Sequence, residues 1–424
     1  MSECAENPQP AQIGTPGARG AAPLVRLSIM MFLQYAIWGA WSTALAQYLE
    51  STLGFSGQQI GWIFACLWLA CMVTPFIGGQ LVDRFMPTQL FLALAHLLGA
   101  VFMYLAATQT EFTPMWGWML AYSLCYAPTL ALTNSICFHN LRDAERDFGR
   151  IRQWGTIGWI VAGLAVWGIR STWQSEQWVD KSDLLLIGAV LSLLMGVFCL
   201  ALPHTPPRKS SQNPLAFLEA LSLLKDRNFL VFILVSFVVT TELQFYYIPT
   251  ANFLVDRGAA STAVTAIMTV AQVAEIVVLF ALLHVALKRF GVRRTMAIGI
   301  LAWPVRYLLF VIPNLPVNVA ALTLHGLGYA FFFVASQIYV NMKAKDDMRA
   351  SAQALLAFFT LGLGNFLGTL FTGWCWDLFK GVDGATNWTG FFMVPTGITV
   401  LCALVFLLLF RDDIRAGDGQ IEKL

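Results

Sequence analysis

The chain has 424 residues, of which 58% are hydrophobic and only 12% charged, against roughly 25% charged in an average soluble domain. With a mean hydropathy of +0.66 it has too few polar side chains to cover a water-exposed surface, which excludes a set of soluble domains and indicates an integral membrane protein. A net charge of +2 offers no basic face to a nucleic acid polymer.

Residues 1–23 are polar and rich in Pro, Gly and Ala. They lack the basic start and apolar stretch of a signal peptide and read as a disordered tail. Apolar stretches of bilayer-spanning length then recur at 26–48, 58–80, 89–108, 114–138, 152–170, 183–202, 229–253, 263–287, 295–313, 317–341, 351–376 and 389–411, which predicts twelve transmembrane helices. The connection at 203–228 begins PHTPPRKSS and continues as PLAFLEALSLLKD, a linker with a short amphipathic helix on the membrane surface. The expected organisation is therefore a six-helix bundle at 24–202, the linker at 203–228, a second six-helix bundle at 229–411 and a short tail at 412–424. Counting Lys and Arg in alternate loops places 21 on one side and 4 on the other, with Arg306 inside the ninth stretch. That asymmetry predicts that both termini are cytoplasmic.

The eight cysteines are scattered, form no CxxC pair and read as small packing residues. The chain contains neither G-x-x-x-x-G-K-[ST] nor HExxH, and no catalytic dyad stands out among the spans, so neither an ATP-driven pump nor an enzyme is expected, nor is a cofactor or metal. Gly364 and Gly368 lie within an apolar span and read as a small-xxx-small packing face. Asn387-Trp388-Thr389 matches a glycosylation sequon, a frequent chance occurrence.

LVDRFMP (81–87) and ALKRFGV (286–292) share Arg-Phe at corresponding loops of the two halves, as an internal duplication requires. The first of these loops carries Gly79, Asp83 and Arg84, which resembles the G-x-x-x-D-R core of the major facilitator superfamily. The resemblance implies an all-α membrane fold of two pseudo-symmetric six-helix bundles that rock about a central solute site, with this loop acting in the conformational change.

Ionisable groups at membrane depth are costly and therefore mark functional candidates. Arg152, Glu242, Glu275 and Arg306 are the four here. Arg152, Thr156 and Trp159 share one helix face at i+4 and i+7; Gln272 and Glu275, and likewise Gln244 and Tyr247, share faces at i+3. Glu242 points about 200° away from Gln244 at 3.6 residues per turn, which suits a structural role, and Arg306 after Trp303-Pro304 suits a structural ion pair. Arg152 also fits an interfacial residue closing a cytoplasmic loop. His96, His284 and His325 read as packing residues.

Several stretches resemble the nucleoside:proton symporter family, a branch of the major facilitator superfamily. They are FLQYAIWGAW (32–41), YAPTLALTNSI (126–136), RQWGTIGW (152–159), ELQ (242–244), QVAE (272–275) and RASAQ (349–353), in order across both halves. The resemblance implies a solute site of Arg152, Thr156, Trp159, Gln244, Gln272 and Glu275, to which Tyr247 and Tyr329 are added by position. It further implies a nucleoside and a proton as partners and a bacterial inner membrane; Glu275, a carboxylate at membrane depth, is expected to be the proton-coupling group, and a monomer is expected. The family pattern has an acid after an aromatic on span 10, matched here to Tyr329-Ala330, and a polar residue where Tyr247 stands. Those departures leave an uncoupled carrier, or a carrier of a sugar or other polyol, as alternatives.

Overall fold

The computed structural model describes residues 21–141, 144–173, 182–207, 220–345 and 348–411. Most of the expected tail, the amphipathic stretch up to residue 219 and the C-terminal tail lie outside the described residues, as does Cys4.

Backbone N–H and C=O groups find no water inside a bilayer, so apolar stretches of this length close their hydrogen bonds as helices. The first half contains α1 (Ala21–Ser42), α2 (Leu45–Ser51), α3 (Gly57–Arg84), α4 (Thr88–Ala107), α5 (Phe112–Asn140), α6 (Ala144–Trp173) and α7 (Asp183–Cys199). A 3-10 turn at Ala220–Lys225 leads into the second half, which opens with α8 (Arg227–Tyr247), α9 (Thr250–Asp256) and α10 (Val264–Val277). Next come α11 (Leu283–Val311), α12 (Leu315–Ala321), α13 (Leu324–Gly328) and α14 (Ala335–Lys343). The chain ends with α15 (Arg349–Ala357), α16 (Asn365–Leu378) and α17 (Trp388–Leu409). Three π-helical segments, Val278–Leu282, Tyr329–Val334 and Phe358–Gly364, interrupt the second half.

Among the described residues, eight helical stretches are long and apolar enough to cross a membrane. One of them, Val264–Val311, contains two expected spans. The break between those spans falls at Gly291, whose φ of 76° and ψ of 172° only glycine adopts readily. Three helix starts in this half carry side-chain caps. Asp226 accepts from the N–H groups of Asn228 and Phe229, Asn314 from Val317, and Asn387 from Gly390, so the asparagine of the sequon is a helix cap. The Lys343 ammonium, hydrogen-bonded to Asp226 at 2.7 Å, holds that carboxyl below the usual carboxylate range. A depressed carboxyl contributes its stability above its unfolded range and loses it as pH falls through the folded value, so this tie weakens only in acid.

Within the first half α1 packs on α6 and α4 on α5 and α7; within the second α8 packs on α16 and α17, and α11 on α17. The glycines of RQWGTIGW explain the α1–α6 contact. A Cβ at Gly158 would strike the Phe32 carbonyl and one at Gly155 the Tyr35 ring, so these positions let the backbones approach. Gly368 similarly faces Thr241 and Gln244 of α8, as its spacing predicts. The halves meet where α3 packs on α16 and α6 on α10, the second span against the eleventh and the fifth against the eighth. This two-fold pairing is the major facilitator arrangement. The backbone of residues 79–84 continues α3; the side chains of Asp83 and Arg84, expected to act in the conformational loop, lie outside the described residues.

Candidate functional site

Because α6 meets α10 across the interface, the polar faces read from the sequence converge. Arg152, Thr156 and Trp159 of α6, Gln244 and Tyr247 of α8, Gln272 and Glu275 of α10 and Tyr329 of the second π segment all line one cavity between the halves. Its volume of about 140 Å³ is several times the ~15 Å³ that a single water requires, so a small organic solute can enter.

The first half supplies an aromatic wall. Trp38 meets Trp159 edge to face at 5.1 Å and Trp68 at 5.7 Å, and the Arg152 guanidinium lies 4.1 Å over the Tyr35 ring. The second half supplies hydrogen-bonding groups. Gln244 donates through Nε2 to Asn365 Oδ1 at 2.7 Å, which orients the Gln244 amide. Gln272 Oε1 and Trp159 Nε1 are buried without hydrogen-bond partners among the described residues, and buried polar atoms of that kind favour a ligand that pairs with them. The Glu275 carboxylate shares the cavity with Arg152, the cation whose field reaches it.

Glu242 and Arg306 lie outside the cavity, as the face analysis anticipates for Glu242. Both are fully buried. Arg306 is held by aromatic faces, with its guanidinium 4.2 Å from the Tyr246 ring and 4.5 Å from Trp303, and it donates to the Tyr307 hydroxyl at 3.0 Å. Tyr307 donates in turn to the Glu242 carbonyl at 3.2 Å. No carboxylate comes within 4 Å of Arg306 among the described residues, so the expected ion pair is replaced by aromatic packing within the longer-range field of Glu242. His325 is wholly buried and sits 3.8 Å from Glu275, which the packing reading of the histidines did not anticipate.

Tyr35, Trp38 and Asn365 also line the cavity without having been singled out. Tyr35 and Trp38 stand three apart in FLQYAIWGAW, and that i+3 spacing was the available signal. Ala330 is fully buried and does not line the cavity, whereas Tyr329 does. The position matched to the family's acid therefore falls in the packed wall.

A cavity at the interface of two helical halves, with aromatic groups on one side and a carboxylate on the other, defines a secondary transporter of the major facilitator type. The nucleoside H+ symporter family matches residues 23–415, and the chain belongs to that family. It is 38% identical to YegT of Escherichia coli K12 over 91% of this chain and 93% of that protein. It is 31% identical to the nucleoside permease NupG of Escherichia coli K12 over 91% of this chain and 96% of that protein. A crystal structure of the nucleoside transporter NupG superposes with a TM-score of 0.83 at 29% identity, covering 92% of this chain and 99% of that one.

Proposed function

We propose that the protein imports nucleosides by proton symport through alternating access, in a bacterial inner membrane, as a monomer with both termini cytoplasmic. The carrying observation is the two-sided cavity. A nucleobase has a flat face for Trp159 and polar edges for Arg152, Thr156 and the glutamines. A ribose diol donates to carboxylate and amide oxygens, of which Glu275 and the unpaired Gln272 Oε1 are within the same cavity.

In this reading Tyr247 and Tyr329 close the polar side, and Glu275 is the proton-coupling group. Protonation neutralises the carboxylate, so the loaded carrier reorients without moving an uncompensated charge through a low-dielectric interior, whereas the empty ionised carrier reorients slowly. Gly79, Asp83 and Arg84 form the loop motif that takes part in the conformational change, and Glu242 and Arg306 hold the second half together. The transport path lies within one chain, which supports a monomer. The asymmetry of 21 against 4 basic residues supports the cytoplasmic termini.

The test is uptake of radiolabelled uridine and adenosine into proteoliposomes, with and without an acid-outside pH gradient. Gradient-stimulated accumulation of either is expected. Equilibration without accumulation would replace the symporter with an uncoupled carrier, and absence of uptake would move the solute to sugars or other polyols.

A further inference from the structure

Three ionisable groups stand one behind another in the second half: Glu275 at the cavity, His325 behind it, and Arg306 deeper. His325 Nε2 lies 3.8 Å from Glu275 Oε2 and 3.5 Å from the Tyr247 hydroxyl, while Nδ1 lies 3.5 Å from Arg306 Nη1. A guanidinium has donors and no acceptor. The ring nitrogen that faces it must therefore present its lone pair, which puts the imidazole proton on Nε2. That N–H faces Glu275 and Tyr247. An ionised carboxylate accepts only, so the Nε2–H group matches the ionised form of Glu275.

The imidazole has little freedom to turn elsewhere. It is packed among Tyr246 at 4.9 Å, Trp303 at 5.6 Å and Tyr329 at 5.7 Å. Its chain neighbour Gly326 lies so close to α10 that a Cβ there would meet the Ala274 carbonyl and the Glu275 nitrogen at 2.5 and 2.8 Å. The backbone carrying His325 is thus seated against the backbone carrying Glu275. The second π segment begins three residues further on, an irregularity frequent at functional sites.

We propose that His325 is the positioning residue for Glu275: held as the Nε2–H tautomer by Arg306, it orients the ionised carboxylate and holds it less strongly once Glu275 takes up the transported proton. The proton goes from water to the carboxylate, and His325 keeps its own. This rests on the symport reading given above. The other groups facing the pair are Arg152 from α6, Tyr246 and Tyr247 from α8, and Tyr329; Glu242 and Tyr307 stand behind Arg306.

The test compares His325→Phe, which keeps a ring and removes the Nε2–H donor facing Glu275, with His325→Gln, whose amide nitrogen reaches the Nε2 position and donates. In proteoliposomes His325→Phe should lower gradient-driven nucleoside accumulation by about tenfold, the scale of one hydrogen bond to a charged group, while counterflow stays within about twofold of the natural protein. His325→Gln should restore most of the accumulation and the natural pH profile. Natural accumulation in His325→Phe overturns the proposal, as does equal loss in both variants with an unaltered pH profile, which would make His325 a packing residue. A second measurement needs no solute: the pH dependence of tryptophan fluorescence in the purified full chain, in which Trp38, Trp41, Trp68 and Trp159 line the cavity. His325→Phe should move the Glu275-dependent transition by about one pH unit, and should move nothing when Glu275→Gln is also present. An unmoved transition overturns the proposal even if the protein carries no nucleoside, and failure of nucleoside uptake by the natural protein counts against the symport reading alone.

Discussion

The two walls of the cavity differ in kind. The first half presents rings: Tyr35, Trp38, Trp68 and Trp159, with Arg152 laid over Tyr35. The second presents amides and a carboxylate, Gln244, Gln272, Asn365 and Glu275, backed by His325, Arg306 and Glu242 in the interior. In the function proposed above, flat apolar surface falls to one wall, and hydroxyls and the proton to the other. A solute that has both chemistries bridges the halves, and such bridging is what lets binding bias the equilibrium between their two relative positions.

The largest effect expected from separating these roles is at Glu275. Glu275→Gln keeps the shape and one acceptor but cannot gain or lose a proton. Gradient-driven accumulation should disappear while counterflow exchange persists. The sign of the pH dependence follows: in the natural protein uptake falls as external pH rises and the carboxylate goes unprotonated, and in the variant the profile is flat. Accumulation by Glu275→Gln at the natural level would sink the assignment of proton coupling to this wall.

Trp159→Ala addresses the opposite wall. Stacking of a base on an aromatic ring contributes about 1–3 kcal/mol, so KM should rise roughly five- to 150-fold. Because no proton is handled on this side, the accumulation ratio at saturating nucleoside should hold. A variant that loses its accumulation ratio with KM unchanged would reverse the division of labour.

Much of this division was legible in the sequence, for a definite reason. Offsets of three, four and seven residues stay on one helix face whatever the tilt of the helix, so Arg152, Thr156 and Trp159, and Gln272 with Glu275, reach the cavity together. The same arithmetic turned Glu242 away from it. What escaped depends on contacts between helices. Tyr35 reaches the cavity because glycines on α6 let α1 approach, and Asn365 is recognised only by its bond to Gln244 across the second half. His325 is fifty residues from Glu275 on an interrupted helix, so no periodicity links them. Ala330 entered by likeness to a family pattern, yet one residue along a helix is about 100° of rotation, and Tyr329 already faces the cavity.

A smaller effect is expected at Asn365, the member of the polar wall that holds the Gln244 amide. Asn365→Ala removes the acceptor that orients the Gln244 amide, at a cost of about 1 kcal/mol, so KM should rise around fivefold. Asn365→Ala in a Gln244→Ala background should add little, since its effect is carried by the Gln244 amide. Full additivity in that double-mutant cycle would mean that each contacts the solute independently.

The smallest effect concerns how the two halves are held together. At one end, ties cross between them: Glu50 pairs with Lys380 at 2.7 Å and accepts from Asn252 at 2.6 Å, and Asp377 accepts from the Gly57 and Gln58 N–H groups at 2.6 and 2.9 Å. At the other end the described bonds stay within a half, as between Asp226 and Lys343, Asn228 and Arg411, and Gln89 and His204. Rocking of rigid halves must break the first set and can leave the second intact. Glu50→Gln removes the charge against Lys380, a partly buried pair for which about 1 kcal/mol is expected, so the open population at that end should rise by about fivefold. Spin labels at Thr110 and Val382 would report it as a larger fraction of long distances, with the labelled natural sequence as reference. An unchanged distance distribution in Glu50→Gln, alongside a broadened one in Asp377→Asn, would assign the closure to the capped N-terminus of α3, because a carboxylate there meets both the free N–H groups and the positive end of the helix.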